Sequence, residues 1–393
     1  MRVAHLSLAD FRNYAVAELG LEPGPNLLLG RNGQGKTNLV EAIAFFSSLR
    51  SHRVTGDSAL IRAGATAAIA RMRIEAGERR VVLELQINSD RANRAQVNGN
   101  TVRPREVTRW FASVAFMPED LMIVRGEPSV RRRFVDDALI ARHPSAAGVL
   151  ADYERVVRQR TALLKSGRRQ GASLENTLGL WDEQLVRYGA QIMLARRELV
   201  HDLQDPLKTA YESLVGEDHR PGLDLAETVA TALTSVSRET LVEMAPGVRT
   251  SNGVSRETLE DEFRAALVEV RGKELERGVT LVGPHRDELL LRLNELPVKG
   301  YASHGESWSF ALSIKLALAA LLRNESPAGD PVIILDDVFA ELDAFRRGRL
   351  MAAVADYEQV IVTAAVEADV PSELDWHRVQ VAGGKILDDG GLP

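Results

Sequence analysis

"LLLGRNGQGKTNLVEAIAFF" occupies Leu27 to Phe46. An apolar run leads into a glycine-rich loop and then into a helix-like stretch, so the segment predicts a strand, an anion-binding turn and a helix in that order. Gly30-Arg31-Asn32-Gly33-Gln34-Gly35-Lys36-Thr37 fits G-x-x-x-x-G-K-[ST] at each defined position. Glycines let backbone N–H groups turn toward an anion, and a helix amino terminus adds a favourable dipole. Lys36 supplies a point charge for the β and γ phosphates of a nucleotide, and the Thr37 hydroxyl can ligate Mg²⁺. Together with Asn38, these residues form the candidate phosphate site.

Such a loop needs acidic partners. Val332-Ile333-Ile334-Leu335-Asp336-Asp337 reads as a buried strand ending in two carboxylates. There Asp336 would contact Mg²⁺ through its shell and Asp337 would polarise an attacking water, which points to hydrolysis and makes Asp337 and Lys36 the candidate catalytic pair. The two half-sites stand near opposite ends of the chain, so the middle reads as an insertion.

The remaining pattern agrees. Ala68 to Glu75, Arg80 to Asn88 and Ala95 to Val102 alternate or carry β-branched residues, with Asn98-Gly99 as a tight turn, and predict an antiparallel meander. From about Val130 to Val270 the composition turns helical. Within it Trp181, Leu185, Tyr188, Ile192, Ala195, Leu199 and Leu203 recur at spacings of four and three, compatible with a short helical arm or with an amphipathic helix packed on a core. Gly247 to Ser255 reads as a loop or hairpin. Strands return at Val279 to Val282, Glu288 to Leu293, Val332 to Leu335, Val360 to Thr363 and His377 to Val381. The expected organisation is an α/β head built from 1–140 and 278–393, with a helical lobe at 141–277 between them.

Among 393 residues there is no cysteine, which excludes disulfides and Cys-ligated zinc or iron–sulfur sites and suits a reducing compartment. The amino terminus lacks the apolar stretch of a secretory signal. The longest apolar run, Phe310 to Leu322, is broken by Ser313 and Lys315 and is short for a membrane span. These features predict a cytoplasmic protein without membrane partners. A net charge of -6 means that nucleic-acid binding must rely on local basic patches. Arg131-Arg132-Arg133 and the cluster Arg155, Arg158, Arg160, Lys165, Arg168, Arg169 are the candidates, each of which also fits a solvated charged face.

Two further stretches narrow the class. Ser303-His304-Gly305-Glu306 leads into the helix-like Ser309 to Leu322, and Val338-Phe339-Ala340-Glu341-Leu342-Asp343 follows the acidic strand. The order P-loop, S-x-G-[QE], acidic strand, x-x-L-D resembles the ATPase heads of the ABC and SMC superfamily. That resemblance implies that Ser303, Gly305 and Glu306 of one subunit cap the ATP bound by another. Ser303 with Glu306 also fits a helix capping box, and both roles are compatible. Within the superfamily the chain resembles the RecF family of bacterial recombinational repair proteins. Leu6 to Tyr14, the P-loop, Arg50-Ser51-His52-Arg53, Phe116 to Leu121, Gly126-Glu127-Pro128, Arg131 to Asp136 and Gly283 to Asp287 look like RecF blocks, in order, across nearly the whole chain.

The resemblance implies an ABC/SMC-type head with an inserted second lobe and no long coiled coil. It also implies an ATP-dependent homodimer on DNA at gaps or single-strand junctions, slow DNA-stimulated hydrolysis, nucleoid association, and cooperation with RecR and RecO in loading a recombinase. Some positions depart from the superfamily pattern. The signature ends in Glu306 where many relatives carry glutamine, and Thr363-Ala364 stands where ABC ATPases often place a switch histidine, so no such histidine is assigned. Glu119 falls where related heads place a Q-loop, and Arg53 fits either a nucleotide contact or a carboxylate pair. A transporter ATPase shares the head motifs but not the helical insertion, and a chromosome-bridging SMC protein would need a far longer seam.

Overall fold

The computed structural model describes residues 1–54, 56–166, 172–234, 254–326, 328–371 and 374–387. The chain forms two compact units: Met1–Leu121, Pro206–His219 and His304–Pro393 make the first, and Met122–Asp205 with Arg220–Ser303 the second.

The first unit holds two six-stranded sheets. One is antiparallel, in the order Tyr14–Gly20, Arg2–Phe11, Ala67–Ala76, Arg79–Asn88, Arg94–Val97, Asn100–Val102. The alternation read from the sequence is realised here: Ala68, Ala70, Met72 and Ile74 face the core while Arg71 and Arg73 face out. Asn98, at φ 51, and Gly99, at φ 79, close the last hairpin, as an Asn-Gly turn requires. The other sheet runs Lys385–Leu387, His377–Ala382, Gly24–Leu29, Gln359–Ala364, Val332–Asp336, Ser113–Phe116, and all its neighbours are parallel except the first pair. Its middle strands are apolar on both faces, the pattern of a covered parallel sheet. The helix Lys36–Ser48 buries Leu39, Val40, Ile43 and Phe46 in a core cluster that draws on both sheets.

The second unit is mainly helical: Pro128–Arg142, Ala146–Ser166, the long helix Ala172–Val215 as far as Asp205, and Arg256–Arg277. Leu185, Ile192 and Met193 join Tyr153, Phe263 and Leu267 in its core, with Trp181 and Tyr188 packed at the margin. The seam therefore belongs to a packed amphipathic helix and not to a projecting arm.

Two sequence expectations change. Gly222–Ala226 is a strand inside the stretch read as helical, and it pairs with Glu288–Leu293. Val279 to Val282 forms no strand, and side chains take its backbone groups instead: Glu274 accepts from Leu281 N at 2.8 Å, and Arg286 Nε donates to the Thr280 carbonyl at 3.2 Å. The compact units divide at 121/122, 205/206, 219/220 and 303/304; the sequence-based division into 1–140, 141–277 and 278–393 stays an expectation beside them. Pro128–Arg142 belongs with the helical unit through the Arg131–Glu288 ion pair and a bond from Arg132 to the Asp287 carbonyl. The hairpin or loop expected at Gly247 to Ser255 lies largely outside the described residues.

The helix His304–Glu325 is long and apolar enough by composition to cross a membrane, but 78% of its apolar window is buried inside the protein. It is a core helix of the first unit.

Candidate nucleotide site

Three neighbouring parallel strands end at the site. Gly24–Leu29 runs into the glycine loop, Gln359–Ala364 lies beside it, and Val332–Asp336 lies next. Register sets Thr363 opposite Asp336 on one side and Leu28 on the other. Residues from both ends of the chain therefore meet at the carboxyl edge of one sheet, where α/β sheets hold their ligands.

The loop is shaped by its glycines. Gly35 sits at φ 115, and a Cβ there would come within 2.6 Å of the Tyr14 hydroxyl; a Cβ on Gly30 would overlap the Val381 carbonyl oxygen. Gln34 ties the loop to the turn beyond that strand, its carbonyl accepting from Gly384 N at 3.1 Å and its side chain from Gly383 N at 2.5 Å. Lys36, 3% exposed, donates to Gly30 O at 2.7 Å and to Arg31 O and Asn32 Oδ1 at 3.4 Å. All three acceptors are neutral. A phosphate entering the loop offers the ammonium a stronger, charge-assisted bond.

Across from the lysine, Thr37 Oγ1 donates to Asp336 Oδ1 at 3.2 Å, joining residues 299 apart in sequence. Thr363 Oγ1 donates to the same oxygen at 2.6 Å and accepts from Asp337 N at 3.0 Å. Burial pushes the Asp336 carboxyl up to about 6; Asp337 and Glu119 push the same way, and the Thr363 and Thr37 hydroxyls oppose them. Glu119 lies in the turn Pro118–Asp120. Asp337 stands at φ 51, ψ 19, the left-handed region.

The donor set suits Mg²⁺. A hydroxyl and a carboxylate oxygen lie side by side, and a small hard cation takes one or two protein oxygens beside the phosphates. Among the described residues no group of three or more His, Cys, Asp or Glu forms a metal cage of its own.

Behind the loop, Glu41 is 1% exposed. Arg12 grips both its oxygens at 2.8 and 2.6 Å, Ser51 donates to it, and Arg53 lies 3.6 Å away while donating to Asn38 Oδ1 at 2.8 Å. Burial alone would raise the Glu41 pKa, but Arg12 and Ser51 hold it below its ordinary value. Sequence reasoning missed this residue. The available signal was that Arg12, Ser51 and Arg53 all sit in quoted blocks, and each has its acceptor here.

The signature residues stand among other neighbours. Ser303 is exposed and immediately precedes the helix His304–Glu325. A Cβ on Gly305 would lie 3.0 Å from the Arg346 guanidinium, and Glu306 lies 3.9 Å from His219 Nδ1, which also meets the Tyr211 hydroxyl at 3.1 Å.

The basic clusters divide. Arg131 is buried and paired with Glu288, and Arg160 is fully buried between Asp182, at 2.7 Å, and Glu274, at 2.5 Å. Neither can meet DNA. Arg155 and Arg158 pair with Asp152 and Glu154 on their own helix, Arg133 and Lys165 are exposed, and Arg168 and Arg169 lie outside the described residues.

Comparison with known proteins gives the chain's family. The RecF/RecN/SMC N terminal domain matches residues 2–380. The DNA replication and repair protein RecF of Leifsonia xyli subsp. xyli is 53% identical over 391 residues, covering 99% of this chain and 100% of that one. The chain belongs to the RecF family. The RecF of Streptomyces avermitilis is 47% identical over 392 residues, covering 98% and 99%. A structure of the recombination mediator RecF with ATP, from the RecFOR pathway, superposes with a TM-score of 0.82 at 25% identity and 98% coverage of both chains. An SMC head bound to the C-winged helix domain of ScpA gives 0.52 at 15% identity, covering 98% of this chain and 97% of that one, and shares the fold. The α/β head of ABC/SMC type expected from the motifs is the fold observed, and membership in the RecF family sets the transporter reading aside.

Proposed function

We propose that this RecF-family chain is an ATP-dependent DNA-binding protein of recombinational repair, whose ATP-bound homodimer acts as a clamp at gaps or junctions of single- and double-stranded DNA. Slow, DNA-stimulated hydrolysis then releases the clamp, and RecR and RecO are its partners in loading the recombinase in the cytoplasm, at the nucleoid. The single observation that carries the reading is the junction of Thr37 and Asp336, which brings the P-loop and the acidic strand into one hydrogen-bonded site.

Lys36 exchanges its loop acceptors for the β and γ phosphates, and the backbone N–H groups of Gly30 to Thr37 surround them. Gly30 and Gly35 keep the loop low enough for that approach, since a side chain at either position would collide with Val381 or Tyr14. Thr37 and Asp336 would hold Mg²⁺, which when bound neutralises developing phosphate charge. Asp337 orients the attacking water and accepts its proton. Ser303, Gly305 and Glu306 cap the nucleotide of the opposite subunit, Ser303 through its exposed hydroxyl.

Equilibrium binding of a fluorescent ATP analogue to Lys36→Met tests the site. The analogue should bind at least tenfold more weakly, because the variant lacks the charge facing the phosphates. Unchanged affinity would contradict the nucleotide reading.

A further inference from the structure

We infer that Thr363 is a positioning residue for ATP hydrolysis, one hydroxyl that fixes both acidic residues at once. The inference rests on the ATPase reading above and adds to it a residue from a third strand.

Thr363 ends the strand Gln359–Ala364, between the P-loop strand and the acidic strand, and is 1% exposed. A threonine hydroxyl has one proton and two lone pairs. Here the proton goes to Asp336 Oδ1 at 2.6 Å and a lone pair takes the Asp337 N–H at 3.0 Å. The first bond aims the carboxylate that also accepts from Thr37. The second pins the backbone where the chain leaves the sheet in the left-handed region, which aspartate tolerates better than most side chains but which still costs free energy that the Thr363 bond offsets. The direction in which the Asp337 side chain leaves the sheet therefore depends on Thr363.

Physical alternatives are limited by the site. A buried residue at a strand end serves packing alone as well with valine, which has the same shape. Valine would take from the half-buried Asp337 N–H its acceptor and remove the shorter of the two hydroxyl bonds to Asp336. Serine would keep both bonds and lose a methyl group.

The test compares Thr363→Val, Thr363→Ala and Thr363→Ser with the parent and with Lys36→Met in the presence of DNA. Valine and alanine should bind the fluorescent ATP analogue within twofold of the parent, lower kcat at least tenfold with little change in KM, and raise the half-saturating Mg²⁺ concentration. Serine should restore kcat to within a few-fold. Serine as slow as valine, or valine as fast as the parent at the same Mg²⁺ midpoint, would overturn the inference. A variant that fails to fold is judged by its partner, since alanine and valine both lack the hydroxyl but only alanine leaves a void. If Lys36→Met hydrolyses ATP like the parent, the ATPase reading fails; if Lys36→Met is dead and Thr363→Val is not slowed, only the role of Thr363 fails.

Discussion

Asp337 and His285 show how much depends on single side chains. In Asp337→Asn the shape is kept and the general base is lost, so kcat should fall about 10²-fold or more while ATP affinity stays near the parental value. Single-turnover hydrolysis beside equilibrium binding measures both; parental turnover would remove the residue's assigned role. Burial pushes His285 down to about 4, with its Nδ1 against the Tyr153 hydroxyl at 2.8 Å, and burial lowers His52 to a similar value. An unfolded histidine titrates near 6.5, so between pH 6.5 and 4 the unfolded chain binds more protons and stability is lost as pH falls through that window. Asp336, raised to about 6, acts in the opposite sense below that pH. The test is therefore a difference: between pH 7.5 and 5, His285→Gln should lose on the order of 1 kcal/mol less stability than the parent in urea titrations. Equal losses would mean that His285 charges freely in the folded state. The P-loop and Asp336-Asp337 were legible because their pattern is contiguous. The roles of Thr363 and Glu41 were not, because strand register and helix packing select their partners: Thr363 stood out only as the place of a missing histidine, and Glu41 only through the arginines and serine around it.

Among the elements, the long helix Ala172–Val215 shows what periodicity alone leaves open. A four-three spacing gives a stripe, and the same stripe serves an arm or a core; the additional burial of Val186, Ala190 and Met193 beside it decides for the core. Charge runs were equally ambiguous, and Arg160 shows why. Its guanidinium joins Asp182 on the long helix to Glu274 on Arg256–Arg277, and Thr280 takes a further bond. Arg160→Met should cost about 3–5 kcal/mol, because two carboxylates lose their buried partner. The urea midpoint measures this, and a loss below about 1 kcal/mol would mean that the carboxylates find water instead. The strand Gly222–Ala226 was hidden by its length and by a partner, Glu288–Leu293, more than sixty residues away in sequence.

For the whole molecule, the sequence order of motifs already indicated that the nucleotide site closes on itself from both chain ends, and the parallel register of three strands does so. What lay beyond the sequence was that Pro206–His219, the end of the long helix, belongs with the first unit, since tertiary pairing and not composition decides it. In the function proposed above, ATP completes its site only between two copies. A two-fold dimer contains two equivalent composite sites, each with the P-loop of one subunit and the signature of the other. Ser303→Arg should leave ATP binding to the monomer nearly intact, because Lys36, Thr37 and Asp336 remain, and should abolish ATP-driven dimerisation in sedimentation. Mixing Ser303→Arg with Lys36→Met subunits allows one heterodimer site in which both halves are intact. The decisive measurement is the DNA-stimulated ATPase rate of that mixture against each variant alone. The account predicts a rate clearly above both. A mixture no faster than its components, with Ser303→Arg still dimerising in ATP, would contradict it.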